Sequence, residues 1–145
     1  GGMGWLSENS DEALAILRKY GVRLALENHP EKTSDDIKRK IPNGFEDVVG
    51  IALDTGWFAT QGYAPGKAIR EIREHLITVH LKDVRAAGAH DTCALGDGIA
   101  NIPDCVAAIL ETGFSGTIGI EHEPETYDPT EEVKLSKQRL AEWMQ

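Results

Sequence analysis

Residues 118–125 read IGIEHEPE, a short apolar run that ends abruptly in an acid, a histidine and a second acid. Three other apolar runs have a similar form: VRLALENH at 22–29, VVGIALD at 48–54 and LITVHLKD at 76–83. Each of the four runs ends in, or carries near its end, a residue that can bind a metal ion or transfer a proton. This recurrence is the main indication of both the fold and the function.

Helix-like segments separate the four runs. We predict helices over 10–20, 33–40, 65–75, 102–113 and 129–144, strands over 22–28, 48–54, 76–83 and 117–121, and a long polar loop over 86–101. Ser10 is a candidate cap for the first helix, and Gly21 is expected to end it. The expected apolar contacts are Leu14, Ile16, Leu17 and Tyr20 on the first helix and Val133, Leu135, Leu140 and Trp143 on the last.

The order of these elements predicts the fold class. One helix is followed by four βα units, and alternating βα units form a parallel sheet with right-handed crossovers. The predicted strands are nearly continuous in apolar residues, which is typical of parallel strands that are covered on both faces. No linker or low-complexity segment interrupts the pattern, so we expect a single α/β domain over residues 1–145.

Four polar side chains are expected to converge in such a sheet. Functional groups of parallel α/β proteins lie at the carboxyl ends of the strands, and here those ends carry Glu27, Asp54, His80 and Glu121. Each residue alone is also consistent with a helix cap, a loop salt bridge or a hydrogen-bonded strand residue. Together, three carboxylates and one imidazole suit one divalent cation per chain, with Mn²⁺, Mg²⁺, Co²⁺ and Zn²⁺ as candidates.

The composition limits the classes of partner. The net charge is −9, with 24 acidic against 15 basic residues, and without a basic stripe the chain is not expected to bind nucleic acid. No apolar run approaches the length of a membrane helix, and no signal peptide is evident. Two cysteines outside any CxxC motif favour a reducing, cytoplasmic location.

Taken in order, five short motifs resemble one known family. ALENH, ALDTGW, VHLKD, GDG and IEHEPE look like the xylose isomerase-like TIM barrel superfamily, which includes sugar-phosphate isomerases/epimerases, ketose 3-epimerases and inosose dehydratases. The resemblance extends over nearly the whole chain from about Gly21. It implies carbohydrate metabolism and an enzyme that isomerises or epimerises a small sugar, sugar phosphate or polyol. The alternatives are an inosose dehydratase-like lyase and a metal-binding barrel fragment without turnover.

The resemblance also implies roles for individual residues. Family members bind a divalent metal through Glu, Asp, His and Glu at successive strand ends, which correspond here to Glu27, Asp54, His80 and Glu121. In the epimerases the two metal-bound glutamates remove and return the proton next to a carbonyl. By resemblance, Glu27 and Glu121 would form this catalytic pair.

Further substrate-binding candidates lie close to the four ligands. His29 follows ALEN and either orients Glu27, contacts substrate or is a plain loop residue. Trp57 stands where many relatives have a substrate- or metal-binding His, and its presence argues against the endonuclease IV branch. Lys82 and Arg85 follow His80, although Arg85 is one residue closer than the substrate-contacting Arg of the sugar epimerases. The Gly96–Gly98 stretch is expected either to approach a substrate or to form a turn.

A closed barrel of eight βα units takes about 250 residues, whereas four units are evident here. They resemble the second half of the barrel. Half a barrel leaves two sheet edges and one apolar face open, and two copies could pair edge to edge. The sequence therefore predicts a homodimer with a metal site in each subunit.

Overall fold

The computed structural model of the protein describes residues 8–29 and 31–145. Its helices are α1 (Ser10–Tyr20), α2 (Ser34–Lys38), α3 (Thr55–Thr60), α4 (Pro65–Ile72), α5 (Ile102–Glu111) and α6 (Thr130–Trp143), and a 3₁₀ turn follows α4 at Arg73–His75. Its strands are β1 (Leu24–Glu27), β2 (Val49–Asp54), β3 (Leu76–Leu81), β4 (Asp83–Val84), β5 (Thr92–Cys93) and β6 (Thr117–Ile120). The predicted strand and helix order is confirmed, with two additions described below.

The main sheet is parallel, and its strands follow one another in chain order, β1-β2-β3-β6. This sequential order belongs to a singly wound barrel, because a doubly wound sheet reverses direction at a switch point. The register aligns Asp54 with His80 and Leu81 with Ile120. Consequently the ends of β2, β3 and β6 reach nearly the same level of the sheet.

The core lies between β2 and the helices that cover it. Every residue of β2 is buried, as are Phe58 of α3, Ile69 of α4 and Ile109 of α5. Burial of these apolar side chains stabilises the folded state by about 25 cal/mol per Å² of apolar surface removed from water. None of the helices in the described part of the chain is both long and apolar enough to span a bilayer.

The apolar faces of the terminal helices are narrower than the sequence predicts. On α1, Leu17 is buried and Leu14 packs against the core, but Ile16 and Tyr20 are exposed. On α6, Leu140 and Trp143 contact the core, Val133 is half-buried, and Leu135 is exposed. These predictions were wrong for the exposed residues because only a narrow stripe of each helix packs against the hydrophobic core.

The predicted helix ends are partly confirmed. Gly21 closes α1 in the left-handed conformation, with φ at 62°, and its N–H bonds back to Arg18. Ser10 is the first residue of α1 and not its cap, since Asn9 occupies the capping position. Thr33 caps α2 by accepting a hydrogen bond from the N–H of Asp36.

Two elements were not predicted. Helix α3 follows β2 directly, without a connecting loop, and Asp54 caps it. The strand predicted over 76–83 ends at Leu81, and Asp83–Val84 instead pairs antiparallel with Thr92–Cys93 inside the supposed loop. The resulting β4–β5 hairpin covers the carboxyl end of the sheet beside the metal-ligand candidates.

Asp83 organises this covering segment. Its buried carboxylate accepts hydrogen bonds from the N–H groups of Gly96, Gly98 and Ala100 and from that of Val84. A Cβ on Gly98 would lie 2.3 Å from Asp83 Oδ1, so only glycine permits this approach. The Gly96–Gly98 stretch is therefore a turn wrapped around a carboxylate.

We expect the Asp83→Asn variant to lower the free energy of unfolding by about 3 kcal/mol, because the amide NH₂ would face backbone donors that need acceptors. The measurement is denaturant unfolding of the variant and the parent. Asp97→Asn is the matched control, since Asp97 pairs with Arg139 near the surface, and it should cost less than about 1 kcal/mol. Equal losses in the two variants would contradict the role of Asp83.

Candidate metal and substrate site

The four predicted ligands converge at one point. One ligand atom from each of Glu27, Asp54, His80 and Glu121 lies within 4.8 Å of every other. β1, β2 and β3 end at or beside the first three residues, and Glu121 directly follows β6. The convergence results from the sequential parallel order of the strands, which places equivalent positions side by side.

Asp54 is the most deeply buried of the four, with no exposed surface. Its Oδ1 accepts a hydrogen bond from the N–H of Trp57 at 2.9 Å, while its buried Oδ2 has no hydrogen-bond partner. Desolvation raises the pKa of Asp54 from the usual 3.8 to about 6, although the charge of Lys82 opposes this. A buried carboxylate oxygen without a hydrogen bond is suited to bind a cation.

Asn28 fixes the position of Asp54 and was missed by the sequence reasoning. Its buried side chain accepts from the N–H of Asp54 at 2.7 Å and donates to the carbonyl of Asp54 at 3.0 Å. This two-way contact ties the end of β1 to the end of β2. The signal that could have revealed it is the amide residue directly after Glu27 at the end of an apolar run, because a buried amide needs hydrogen-bond partners.

His80 lies between the two glutamates. Its Nδ1 is 3.3 Å from Oε1 of Glu27 and 3.0 Å from Oε2 of Glu121. β1 and β6 are the two outer strands of the described sheet, so the glutamates reach the same imidazole nitrogen from the two edges of the sheet. The three side chains are thus directed at a common space next to Asp54.

Lys82 supplies the positive charge of the site. Its Nζ lies 2.5 Å from Glu121, 3.1 Å from Glu123 and 3.4 Å from Asp54, and its side chain is only 7% exposed. Burial lowers the pKa of Lys82, but the hydrogen bond to Glu121 and the charge of Asp54 outweigh it, so the pKa lies above its usual value and the amine stays charged.

The backbone next to Lys82 is held by two features. Thr55 Oγ donates to the carbonyl of Lys82 at 2.7 Å and accepts from its N–H at 2.9 Å. A Cβ on Gly56 would lie 2.6 Å from Cγ of Lys82. Gly56 therefore allows the lysine stem to pass close to α3 and reach the carboxylates.

A cavity of about 270 Å³ opens beside the four ligands, lined by residues that include Trp57, Lys82, His90, Glu123 and Glu125. The Trp57 ring contacts His29 edge-on at 3.9 Å between centroids and His90 at 4.9 Å. Lys82 Nζ lies 5.4 Å from the centre of the same ring. An aromatic surface with a few polar groups is the usual form of a small-molecule site.

The remaining predicted site residues are placed differently. His29 touches Trp57 but does not line the cavity. Arg85 pairs with Asp91 at 3.0 Å and does not line the cavity. His90 and Glu123 do line it. His90 lies in the segment that the sequence presents as a featureless loop, and only the β4–β5 hairpin brings it to Trp57.

The residues present fit a divalent cation. Three carboxylates and one imidazole are a donor set for such an ion. The buried Oδ2 of Asp54 has no hydrogen-bond partner and lies 3.4 Å from the Lys82 ammonium. Lys82 balances only part of the negative charge of Glu27, Asp54, Glu121 and Glu123. A divalent ion held by the four ligands would compensate most of the remaining charge.

Comparisons with known proteins agree with this architecture. A family model described as xylose isomerase-like TIM barrel matches residues 2–144. The inosose dehydratase of Geobacillus kaustophilus (strain HTA426) is 24% identical over 160 residues, which cover 93% of this chain and 51% of that protein.

Two solved structures show the same fold. A D-tagatose 3-epimerase-like protein superposes with a TM-score of 0.77 at 22% identity, over 94% of this chain and 52% of its own. The IOLI protein with a bound zinc atom gives 0.74 at 22% identity, over 98% and 54%. The chain thus spans about half the length of these proteins, and its sheet corresponds to half of their barrels. Since the family model matches almost every residue, the chain belongs to the xylose isomerase-like TIM barrel family.

Proposed function

We propose that the chain acts as a divalent-metal-dependent isomerase or epimerase on a small sugar, sugar phosphate or polyol. The observation that carries the proposal is the convergence of Glu27, Asp54, His80 and Glu121 within 4.8 Å. These four residues are the proposed ligands of one ion per chain. The zinc in the IOLI protein supports a metal in this fold, and Mn²⁺, Mg²⁺ and Co²⁺ suit the same donors.

The reaction is a proton transfer next to a carbonyl. A divalent ion bound here supplies a Lewis acid for the oxygens of a hydroxyketone. Glu27 and Glu121 extend from the two outer strands toward a common space. One carboxylate can therefore remove the proton on one face of the substrate, and the other can return it on the opposite face.

Lys82 and Trp57 are the proposed substrate contacts in the cavity. Trp57 offers an apolar surface for the carbon skeleton, and Lys82 a donor for a hydroxyl or carbonyl oxygen. His29 is proposed to orient Trp57 through their ring contact. Arg85 is retained as a contact only for a substrate that extends past the β4–β5 hairpin.

A lyase is the second candidate, favoured by the similarity to inosose dehydratase over 93% of the chain. Its first step is the same deprotonation, after which a neighbouring hydroxyl takes up the proton that the carboxylate removed and leaves as water. Lys82, charged and 2.5 Å from Glu121, is placed to donate a hydrogen bond to a departing oxygen. The two reactions differ in product: an epimer retains the mass of the substrate, and a lyase product lacks one water.

The test combines metal binding with solvent exchange. We expect chelator-stripped protein to bind Mn²⁺ with a stoichiometry of about one per chain in calorimetry. In D₂O, ketoses and inososes incubated with the loaded protein should gain deuterium next to the carbonyl, followed by mass spectrometry. Metal binding without exchange of any substrate would favour the fragment without turnover, and the absence of binding would refute the proposal.

We also propose that two copies complete the barrel. In the described part of the chain, β1 and β6 each pair with a single neighbour in the sheet, and such edges favour pairing with another chain. We expect light scattering to give the mass of two chains, or about 32 kDa given 15.8 kDa per chain. A mass of one chain at every concentration would contradict the dimer.

We propose a cytoplasmic location because the two cysteines form no disulfide. Cys93 and Cys105 are both free and buried, and unpaired thiols are usual in a reducing compartment. Cell fractionation tests this directly.

A further inference from the structure

His122 lies between two site carboxylates but points away from the site. Glu121 and Glu123 both contact Lys82, at 2.5 and 3.1 Å. The side chain of His122 is 1% exposed and reaches toward the β4–β5 hairpin and α6. This alternation continues the pleat of β6 past its last paired residue, because successive side chains of an extended chain face opposite sides.

Thr92 of β5 contacts both His122 and the backbone of Glu123. Its Oγ lies 2.8 Å from Nδ1 of His122 and accepts a hydrogen bond from the N–H of Glu123 at 3.1 Å. On the other side of the ring, Nε2 lies 2.7 Å from a carboxylate oxygen of Glu132 in α6, without the geometry of a hydrogen bond. The histidine therefore sits between a buried hydroxyl and a carboxylate.

These contacts fix the backbone on both sides of the histidine. The N–H of Glu121 donates to the carbonyl of Leu81 in β3 at 3.0 Å, and the N–H of Glu123 donates to Thr92. Because both backbone N–H groups are hydrogen-bonded, the side chains of Glu121 and Glu123 are oriented toward Lys82. The hydroxyl of Thr92 is the shared point, since it contacts both His122 and the Glu123 backbone.

We infer that Thr92 and His122 are positioning residues that aim Glu121 and Glu123 at the ion site and at Lys82. The inference rests on the proposed function for the role of Glu121. It concerns side-chain direction and not folding, because α6 has separate anchors: Ser136 accepts from the N–H of Leu95, and Arg139 donates to the carbonyl of Leu95.

The test uses an isosteric pair at Thr92. Thr92→Val removes the hydroxyl and keeps the shape, whereas Thr92→Ser keeps the hydroxyl. We expect Thr92→Val to weaken Mn²⁺ binding in calorimetry about 10-fold or more, as loss of a partner that orients a ligand usually does. Thr92→Ser should restore the affinity to within about 3-fold of the parent.

A second readout is independent of metal. Lys82 in the metal-free parent should react slowly with an acetylating reagent, followed by peptide mass spectrometry, because it is enclosed by carboxylates. Thr92→Val should speed its acetylation about fivefold, the expected effect of losing one hydrogen bond on local opening. Thr92→Ser should again match the parent.

Ser136→Ala is the matched control, since it removes an α6 anchor and leaves Thr92 intact. It should lower the melting temperature with little effect on Mn²⁺ affinity or Lys82 acetylation. Equal effects of Ser136→Ala and Thr92→Val would overturn the inference, as would unchanged readouts in Thr92→Val or failure of Thr92→Ser to restore them. If the parent binds no Mn²⁺ but Lys82 acetylation responds to Thr92 as described, the proposed function fails and the positioning role stands.

Discussion

Replacing Asp54 with asparagine is expected to weaken Mn²⁺ binding by more than about 100-fold. The variant keeps the shape and the hydrogen bond from the Trp57 N–H, but it removes the charge at a buried ligand oxygen that has no hydrogen-bond partner. Loss of a residue that only orients a ligand costs about 10- to 100-fold in metal affinity, so loss of the ligand charge should cost more. Calorimetry on chelator-stripped protein measures the difference.

The same variant should not destabilise the metal-free protein. Burial raises the pKa of Asp54 to about 6, so between its usual pKa of 3.8 and that value the folded chain holds a proton that the unfolded chain has lost. Stability from this group is therefore lost as the pH rises through 6, a difference of about 3 kcal/mol at pH 7. Asparagine has no proton to lose, so its free energy of unfolding at pH 7 should equal or exceed that of the parent.

The control for both measurements is Asp91→Asn, because Asp91 is exposed and its carboxylate forms an ion pair with Arg85, outside the four proposed ligands. It should change neither Mn²⁺ affinity nor stability by more than about 0.5 kcal/mol. Parent-like metal binding in Asp54→Asn would remove Asp54 from the proposed ligands. A loss of stability above about 1 kcal/mol at pH 7 would show that its charge is better compensated than its burial implies.

Replacing Lys82 with methionine is expected to destabilise the metal-free protein by about 3–5 kcal/mol, the usual cost of removing one partner from a buried ion pair. Methionine retains most of the stem that passes Gly56, but Asp54, Glu121 and Glu123 would then face one another without a cation. Excess Mn²⁺ should restore much of the loss, because the ion compensates the same carboxylates and binds only the folded state. Thermal unfolding with and without Mn²⁺ measures both effects.

Lys134→Met serves as the control for charge removal. Lys134 pairs with Glu131 on the exposed face of α6, and its loss should cost less than about 0.5 kcal/mol with no response to Mn²⁺. A Lys82→Met protein as stable as the parent would show that the carboxylates do not depend on the ammonium. Destabilisation that Mn²⁺ does not relieve would separate Lys82 from the metal site.

The convergence of four polar side chains could be predicted because its signals are local. Glu27, Asp54, His80 and Glu121 each follow or end an apolar run, and the topology of βα units places strand ends together whatever the loops do. The cavity beside them was predicted only in part, because Trp57 and Lys82 line it as expected but His90 was not expected there. His90 reaches the cavity through the β4–β5 hairpin, and that hairpin depends on Asp83 binding backbone groups more than ten residues ahead.

The sequence by itself determined the parallel α/β order, the end of α1 at Gly21 and the residues available to hold a cation, because periodicity and capping act over a few neighbouring residues. Only the tertiary structure decided which helical side chains are buried, that Asp54 caps α3 with one oxygen while the other has no hydrogen-bond partner, and that Lys82 is enclosed by three carboxylates. These outcomes depend on contacts between residues far apart in the chain. The free energies of these contacts depend on burial and charge compensation where the ends of several strands meet, and a local sequence pattern does not predict either.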